Sequence, residues 1–261
     1  MKDYVPFAID MAYKAGRIIR KNFTLGMKKT LKQTDSSPLT ISDTAINHMV
    51  TEAIDKEFPT HRVIGEEESN KKSNSEYTWV CDPIDGTIPF SSGIPISTFS
   101  LALTKYGIPI VGVIYDPFMD RLFMGKKGQG AFLNNKKVSV SKSKIIKSQV
   151  LYMGWWKHSL YDLLLVRREL CKKECKIMDF CSFAYAGALV AAGEFTSVIY
   201  GDHYPWDVAA MKVIIEEAGG ICTDFTGKDQ QYDRDVNGFI AGNGSVQKEL
   251  LALVKQFSVK N

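Results

Sequence analysis

Cysteine and long apolar runs are both scarce in this sequence. Five cysteines among 261 residues are an odd and sparse count, which argues against a disulfide framework. No apolar run approaches the roughly 18 residues that a membrane-spanning helix needs. The first segment carries Asp3 and Lys14 where a secretory signal would need an uninterrupted apolar stretch. We therefore expect a cytoplasmic protein that has no membrane partner.

The chain also lacks a strong excess of positive or of negative charge. The chain has 33 lysines and arginines against 29 aspartates and glutamates, so its formal net charge is only +4. Short lysine pairs carry this excess, a pattern too diffuse for binding a nucleic-acid polymer but favourable to small anions. Hydrophobic residues make up 45% and charged residues 24%, which is the balance of a globular protein and excludes wholesale disorder.

Hydrophobic periodicity predicts strands in the middle of the chain and alternating elements after them. Helical spacing covers residues 8–23 and 46–54, and the second helix is predicted to be capped by Ser42 and to end before Pro59. Strands are predicted at 62–64, 77–81, 97–105, 110–115, 122–124 and 131–133, with a hairpin turn at Gly107 and Pro109. Helices over 160–172, 183–192, 207–218 and 247–254 then alternate with strands that end near 177 and lie at 197–200, 221–223 and 239–241. This order predicts a layered α/β (α+β) sandwich.

Acidic residues recur where predicted strands end or a helix begins. Glu66 and Glu67 follow one strand, Asp82 and Asp85 follow the next, and Asp207 starts a helix. Taken singly, each has an ordinary explanation: a solvated turn, a tight turn, or an aspartate facing a helix dipole.

The segment Asp82-Pro-Ile-Asp-Gly-Thr87 is more informative. Its two carboxylates, three residues apart, can converge on one cation, while Gly86 permits a tight turn that exposes backbone N–H groups beside Thr87. Hard oxygen ligands of this kind suit Mg²⁺. Several carboxylates drawn together would repel one another, and a divalent ion relieves that repulsion.

Three motifs in this order resemble the inositol monophosphatase superfamily of Mg²⁺-dependent, lithium-sensitive phosphatases. They are Gly65-Glu-Glu67, Trp79-Val-Cys-Asp-Pro-Ile-Asp-Gly-Thr87, and Trp206-Asp-Val-Ala-Ala210 continuing to Glu217-Ala-Gly-Gly220. The resemblance implies an αβαβα layered sandwich of the inositol monophosphatase and fructose-1,6-bisphosphatase type. It also implies a homodimer and a single catalytic unit over 1–261. In that unit, the antiparallel-sheet half (about 1–145) carries the first two motifs and the α/β half (about 146–261) carries the third.

The resemblance also assigns roles to individual positions. Two or three Mg²⁺ ions would be held by Glu66, Asp82, the carbonyl group of Ile84, Asp85 and Asp207, with Glu67 beside them as a catalytic neighbour. Asp43 and Thr87 would orient and deprotonate the attacking water. The amides of Gly86 and Thr87 would hold the phosphate, with Ser182, Phe183, Tyr200 and His203 lining the substrate pocket.

Three positions depart from the pattern of inositol phosphatases. Pro89 replaces a common asparagine, Tyr200 replaces an acidic residue that grips inositol hydroxyls, and Phe183 replaces a small residue. These changes leave the metal residues intact and loosen the choice of substrate. Inositol 1-phosphate is the leading substrate. Histidinol phosphate, nucleoside 3′,5′-bisphosphates and sugar bisphosphates are alternatives, partly because residues 32–40 resemble the corresponding segment of histidinol-phosphate and bisphosphate-nucleotide phosphatases.

Four other interpretations are weaker. A haloacid-dehalogenase-type phosphatase needs D-x-D-G-T, whereas the spacing here is D-x-x-D-G-T. A non-catalytic relative would not need every ligand position that this chain retains. A zinc site would have to draw on Cys171, Cys175, Cys181, Cys222 and His203, which include no C-x-x-C pair. The run Gly125-Lys-Lys-Gly-Gln-Gly130 lacks the ending of a phosphate-binding loop. Trp155 and Trp156 are interpreted as a packed or dimer-contacting pair.

Overall fold

Helices and β-sheets alternate in five layers. The computed structural model describes residues 3–32, 37–70 and 75–261. In these ranges the helices are α1 (Val5–Asn22), α2 (Ile41–Glu57), α3 (Thr87–Ser91), α4 (Leu164–Lys172), α5 (Phe183–Ala191), α6 (Pro205–Glu217) and α7 (Gly244–Phe257). The strands are β1 (Thr30–Leu31), β2 (Pro38–Leu39), β3 (Arg62–Gly65), β4 (Tyr77–Asp85), β5 (Thr98–Lys105), β6 (Ile108–Asp116), β7 (Arg121–Lys126), β8 (Gly130–Leu133), β9 (Lys136–Lys137), β10 (Val150–Gly154), β11 (Tyr161–Asp162), β12 (Lys176–Met178), β13 (Ser197–Tyr200), β14 (Ile221–Thr223), β15 (Phe239–Gly242) and β16 (Val259–Lys260).

The larger sheet runs in sequence order from β3 to β9. Its first pair, β3 and β4, is parallel, and the remaining neighbours are antiparallel. The β5–β6 hairpin turns at Tyr106 and Gly107, whose φ angles of 51° and 78° suit a tight two-residue turn. Pro109 therefore lies inside β6 and not in the turn, contrary to the sequence expectation; it sits at a register shift of the β5–β6 pairing.

The smaller sheet is mixed and has the order β12-β10-β13-β15-β14. Strands β12, β10 and β13 are parallel, whereas β15 is antiparallel to both β13 and β14. Strand β13 ends at Tyr200, and the loop after it leads into α6. The chain thus places the start of α6 beside the end of this sheet, which matters for the site described below.

Three buried clusters confirm the five-layer sandwich. Helices α1 and α2 cover one face of the larger sheet through residues such as Ile19, Ile46 and Trp79. Helices α5 and α6 fill the space between the two sheets, with Met211 fully buried there. Helices α4 and α7 lie with the outer face of the smaller sheet, where Leu250 is buried. In the ranges that the structure describes, no helix combines the length and apolar character needed to cross a bilayer.

Most predicted elements are present, but some of their limits differ. Thr40, and not Ser42, caps α2, because Thr40 and Asp43 form a reciprocal capping box three residues apart. Helix α4 begins at Leu164, since residues 161–162 pair with β16 close to the end of the chain. Helix α6 begins two residues early, at Pro205, a residue suited to the first helical position. Strand β10 was not predicted. The division into halves at about residue 145 stays a prediction.

Candidate active site

Three aspartates converge although they come from separate parts of the fold. Asp82 and Asp85 lie at the end of β4, and Asp207 lies in the first turn of α6. Each offers a carboxylate oxygen, and these oxygens all lie within 4.8 Å of one another. We call Asp82, Asp85 and Asp207 the aspartate cluster. Negative charge near the start of α6 is favoured by the helix dipole.

A bulge in β4 accounts for the shared direction of Asp82 and Asp85. Residues three apart on a regular strand point to opposite faces of the sheet. The pairing with β5 moves from Asp82 opposite Ser100 to Asp85 opposite Thr98, so three steps on β4 match two on β5. The extra residue turns both aspartates toward the same site, and Pro83 fits such an irregular position.

Burial and mutual repulsion disfavour the charged forms of the three aspartates in the aspartate cluster. Burial, followed by the charges of Glu66, Asp85 and Asp207, raises the pKa of Asp82 well above its usual range. Burial is also the largest cause of the raised pKa values of Asp85 and Asp207. Crowded carboxylate oxygens are the hard donors that Mg²⁺ prefers, so these residues fit that ion.

Neutral donors hold the carboxylate of Asp85. Its Oδ1 accepts the backbone N–H of Phe183 at 2.8 Å, while its Oδ2 accepts the N–H of Tyr185 at 3.1 Å. The hydroxyl groups of Thr98, at 3.0 Å, and of Ser182 also donate to Oδ2. Asp85 thereby binds the first N–H groups of α5, so that a ligand candidate from the larger sheet is fixed by a helix of the central layer.

A lysine contacts two of the three glutamates in the turn after β3. We call residues 65–68 the glutamate turn. The Nζ atom of Lys32 lies 2.6 Å from Glu66 Oε1 and 2.5 Å from Glu67 Oε1. Burial alone would lower the pKa of Lys32, but the two carboxylates outweigh it and the pKa is raised. The charge of Glu66 also raises the pKa of Asp82, so the glutamate turn adjoins the aspartate cluster.

Asn47 of α2 holds the backbone of the glutamate turn. Its buried side-chain amide accepts the N–H of Glu67 at 3.2 Å and donates to the carbonyl group of Glu68 at 2.8 Å. A Cβ atom on Gly65 would lie only 2.3 Å from the Oδ1 atom of Asn47. Glycine at position 65 therefore permits the close approach on which this contact depends.

Asp43 and Thr87 lie together at the edge of the acidic residues. The Thr87 hydroxyl lies 3.3 Å from Asp43 Oδ1 and 3.0 Å from the carbonyl oxygen of Ile84. Asp43 Oδ2 accepts both the N–H and the hydroxyl group of Thr40, at 2.8 and 2.5 Å. Burial raises the pKa of Asp43 to about 6, although the bonds from Thr40 lower it in part. The pair therefore combines a carboxylate that can accept a proton with a hydroxyl that can relay one.

Gly86 makes the turn between β4 and Thr87 possible. Its φ of 90° is in the left-handed region, and a Cβ atom there would lie 2.9 Å from the carbonyl oxygen of Ile96. Helix α3, which follows it, has only five residues.

The structure brings most of the predicted site residues to one place. Glu66, Asp82, Asp85 and Asp207 are adjacent, Ser182 and Phe183 hold Asp85, and the Tyr200 hydroxyl donates to Asp207 Oδ2 at 2.5 Å. His203 pairs with Asp202 through its Nδ1 atom at 2.7 Å. The individual roles of these residues stay predictions.

Sequence reasoning missed three residues that contact the predicted site residues: Lys32, Asn47 and Thr98. Lys32 begins the segment 32–40, of which residues 33–36 lie outside the described ranges. Asn47 lies one turn after Asp43 on α2, a spacing that could have drawn attention to it. Thr98 carried no signal beyond its place at the start of a predicted strand.

Comparison with known proteins decides the family. A model described as "Inositol monophosphatase family" matches residues 1–258. The chain belongs to the inositol monophosphatase family. It is 36% identical to inositol monophosphatase 1 of Solanum lycopersicum, over 88% of this chain and 87% of the relative. It is 31% identical to a fructose-1,6-bisphosphatase/inositol-1-monophosphatase of Aquifex aeolicus, over 98% of this chain and 97% of the relative.

A solved structure supports the same assignment. Inositol monophosphatase from Anabaena (Nostoc) sp. PCC 7120 superposes with a TM-score of 0.85 at 28% identity, covering 97% of this chain and 96% of that one. The resemblance inferred from the motifs and the sandwich fold are thus confirmed. As a member of this family, the chain is a phosphoric monoester hydrolase. The family assignment replaces the haloacid-dehalogenase and non-catalytic interpretations.

The structure also shows what two other sequence features do. Gly128 and Gly130 donate their N–H groups to the carboxylate of Glu217 at 2.7 and 2.6 Å, so these amides of the glycine-rich run already hold an internal anion. Among the described residues, the aspartate cluster is the one group of three or more His, Cys, Asp or Glu side chains close enough to share an ion, and it includes none of the residues of the zinc interpretation.

Proposed function

We propose that this family member is a Mg²⁺-dependent phosphatase of small phosphate monoesters, with inositol 1-phosphate as its substrate. The observation that carries the proposal is the aspartate cluster, whose three carboxylates meet within 4.8 Å beside Glu66. Phosphate monoesters hydrolyse extremely slowly without a catalyst, and cations address the charge that makes them slow.

The ligand set that we propose contains oxygen donors alone. Glu66, Asp82, the Ile84 carbonyl group, Asp85 and Asp207 would hold two or three Mg²⁺ ions. When bound, such ions neutralise phosphate oxygens and lower the pKa of water. Raised pKa values throughout the aspartate cluster support this assignment, because they show how strongly the site favours added positive charge.

Asp43 and Thr87 are the proposed proton acceptors for the attacking water. A hydroxyl has one proton and two lone pairs, so Thr87 can donate to Asp43 while it accepts from water. This arrangement needs no side-chain nucleophile, and Glu67 adds negative charge beside it. The amides of Gly86 and Thr87 are the proposed phosphate donors, with Ser182 and His203 at the edge of the pocket. Because α3 is so short, we attribute phosphate binding to these amides and not to a helix dipole.

A sugar bisphosphate is the second candidate substrate. The Aquifex aeolicus relative is named for both fructose-1,6-bisphosphatase and inositol-1-monophosphatase. Phe183 and Tyr200 are 8% and 2% exposed and carry no carboxylate, so neither offers an acidic partner to a polyol. A polyol that needs an acidic partner would therefore find less discrimination here.

A panel of phosphomonoesters tests the proposal. Phosphate release would be measured with inositol 1-phosphate, histidinol phosphate, adenosine 3′,5′-bisphosphate and fructose 1,6-bisphosphate, each with Mg²⁺ and with a chelator. We expect release only with Mg²⁺ and the highest kcat/KM for inositol 1-phosphate. A higher value for fructose 1,6-bisphosphate would favour the second candidate, and no release from any compound would overturn the proposal.

Lithium offers a separate test of the metal chemistry. If the site resembles that of lithium-sensitive relatives, Li⁺ at millimolar concentration should inhibit turnover. Activity that is indifferent to Li⁺ would indicate a remodelled metal site.

We also propose a cytoplasmic homodimer. The five cysteines are free thiols, which suits a reducing compartment. Trp155 packs against the outer cluster of the smaller sheet, whereas Trp156 is 44% exposed and is available for a contact between subunits. Light scattering on the intact chain and on Trp156→Ser would test this role.

A further inference from the structure

The Tyr200 hydroxyl is committed to the protein itself. Tyr200 ends β13 and is 2% exposed. Its hydroxyl donates to Asp207 Oδ2 at 2.5 Å and accepts the backbone N–H of Tyr204 at 3.2 Å. The single hydroxyl proton is therefore directed at Asp207, and a backbone amide fixes the hydroxyl from the other side.

Phe183 makes the corresponding connection to Asp85. Its backbone N–H donates to Asp85 Oδ1 at 2.8 Å. Its ring meets the Tyr200 ring edge-on, with centroids 4.6 Å apart and an interplanar angle of 80°. A continuous chain of contacts thus runs from Asp85 through Phe183 and Tyr200 to Asp207.

This chain of contacts opposes the repulsion within the aspartate cluster. Buried carboxylates of like charge repel one another. A bond to one oxygen of Asp207 fixes the rotation of the carboxylate, and so fixes the direction of its other oxygen. The aromatic contact, in turn, fixes the distance between the two residues that hold Asp85 and Asp207.

We propose that Tyr200 is a positioning residue of the cation site. Its hydroxyl, braced by the Phe183 ring, orients Asp207 opposite Asp85 for cation binding, and Tyr200 does not contact the substrate. The inference rests on the proposed function only in taking a divalent cation as the ligand of the aspartate cluster. Partners that orient metal ligands typically affect metal affinity about 10- to 100-fold.

Tyr200→Phe tests the proposal because it removes the hydroxyl and keeps the ring. Mn²⁺ would serve as the probe, with free ion measured by electron paramagnetic resonance on the intact chain. We expect the Kd for Mn²⁺ to rise at least about tenfold. At saturating Mg²⁺, the KM for the best phosphomonoester should stay within about twofold of the parent value, since Tyr200 does not contact the substrate.

Tyr161→Phe is the matched control. It also removes one tyrosine hydroxyl bond, that to Asn237 Oδ1 at 2.7 Å, but Tyr161 packs in the outer cluster of the smaller sheet. Its Kd for Mn²⁺ should equal that of the parent. Phe183→Leu is a second variant, which keeps the Tyr200 hydroxyl and removes the bracing ring; we expect a smaller rise in Kd.

Two results would overturn the proposal. One is parental Mn²⁺ affinity in Tyr200→Phe, or in Phe183→Leu if the first variant does not fold. The other is a raised KM at saturating Mg²⁺ with unchanged Mn²⁺ affinity, which would make Tyr200 a substrate contact. A parent chain that binds Mn²⁺ but releases no phosphate would contradict the proposed function and leave the positioning role standing. A parent chain that binds no Mn²⁺ would contradict both.

Discussion

In the aspartate cluster, hydroxyl groups and backbone N–H groups hold the carboxylates. In the glutamate turn, by contrast, the ammonium group of Lys32 contacts the carboxylates of Glu66 and Glu67. The two regions meet at Glu66 and Asp82, where the charge of Glu66 raises the pKa of Asp82. The aspartate cluster therefore concentrates negative charge that only neutral donors contact, whereas the glutamate turn is already paired with the cationic side chain of Lys32.

The difference indicates which region should bind a divalent ion more strongly. Neutral donors orient a carboxylate and leave its charge in place, so the aspartate cluster presents up to three uncompensated charges to an incoming ion. In the glutamate turn, the same ion would have to compete with Lys32. We therefore expect the aspartate cluster to dominate cation binding, with the glutamate turn as the adjustable part of the site.

The largest expected effect comes from Asp82, which links the two regions. Asp82→Asn should lower kcat on the order of a thousandfold, because it removes a charge from the centre of the ligand set. The unfolding temperature of the metal-free chain should stay the same or rise, since the variant no longer buries an ionisable carboxyl group. Phosphate release and thermal unfolding would be measured together. A variant within tenfold of the parent activity would count against the site.

Lys32→Met should distinguish the contribution of the glutamate turn to cation binding from that of the aspartate cluster. Hydrogen bonds to charged groups contribute about 1.5–3 kcal/mol, so the metal-free chain should lose on that order of stability. At about 2–4 °C per kcal/mol, the unfolding temperature should fall by roughly 3–12 °C. Mg²⁺ should then raise the unfolding temperature of the variant more than that of the parent, because the ion replaces the missing cation.

Lys28→Met is the control for that experiment, since Lys28 is exposed on the same segment. It should leave both the metal-free stability and the response to Mg²⁺ unchanged. An equal response to Mg²⁺ in Lys32→Met and the parent would show that Lys32 does not compete with the ion.

Asn47→Ala should have the smallest of these effects, because it loosens the backbone of the glutamate turn and removes no charge. The loss of the two hydrogen bonds of the Asn47 side-chain amide should lower the free energy of unfolding by about 1–3 kcal/mol. It should also raise the Mg²⁺ concentration for half-maximal activity several-fold. Asn134→Ala is the control, because it removes an equivalent pair of hydrogen bonds in a distant hairpin: the Asn134 side chain accepts the Leu122 N–H and donates to the Asp120 carbonyl group. The control should lose stability without a change in Mg²⁺ dependence; a parallel change in both variants would contradict the role of Asn47.

The sequence was most informative where chemistry is encoded locally. Helical periodicity located α1 and α2, and the acidic residues after the predicted strands located the aspartate cluster and the glutamate turn. The convergence of Asp207 with Asp82 and Asp85 followed from the family resemblance, since no local pattern brings α6 to the end of β4.

Contacts between distant segments were not predictable from the same patterns. Lys32 and Glu66 are 34 positions apart, and Asn47 and Glu67 are 20 apart, so neither contact has a local signature. Residues 161–162 were expected in a helix, but their pairing with β16 overrides that local preference. The exchange of Ser42 for Thr40 as the cap of α2 arose because either residue suits the position and only Thr40 completes the box with Asp43.

An anomalous difference map from crystals soaked in Mn²⁺ tests the central claim most directly. We expect a peak within coordination distance of carboxylate oxygens from Asp82, Asp85 and Asp207 together. A map with no peak at these three residues, or with a peak that contacts only Glu66 and Glu67 in place of Lys32, would contradict it.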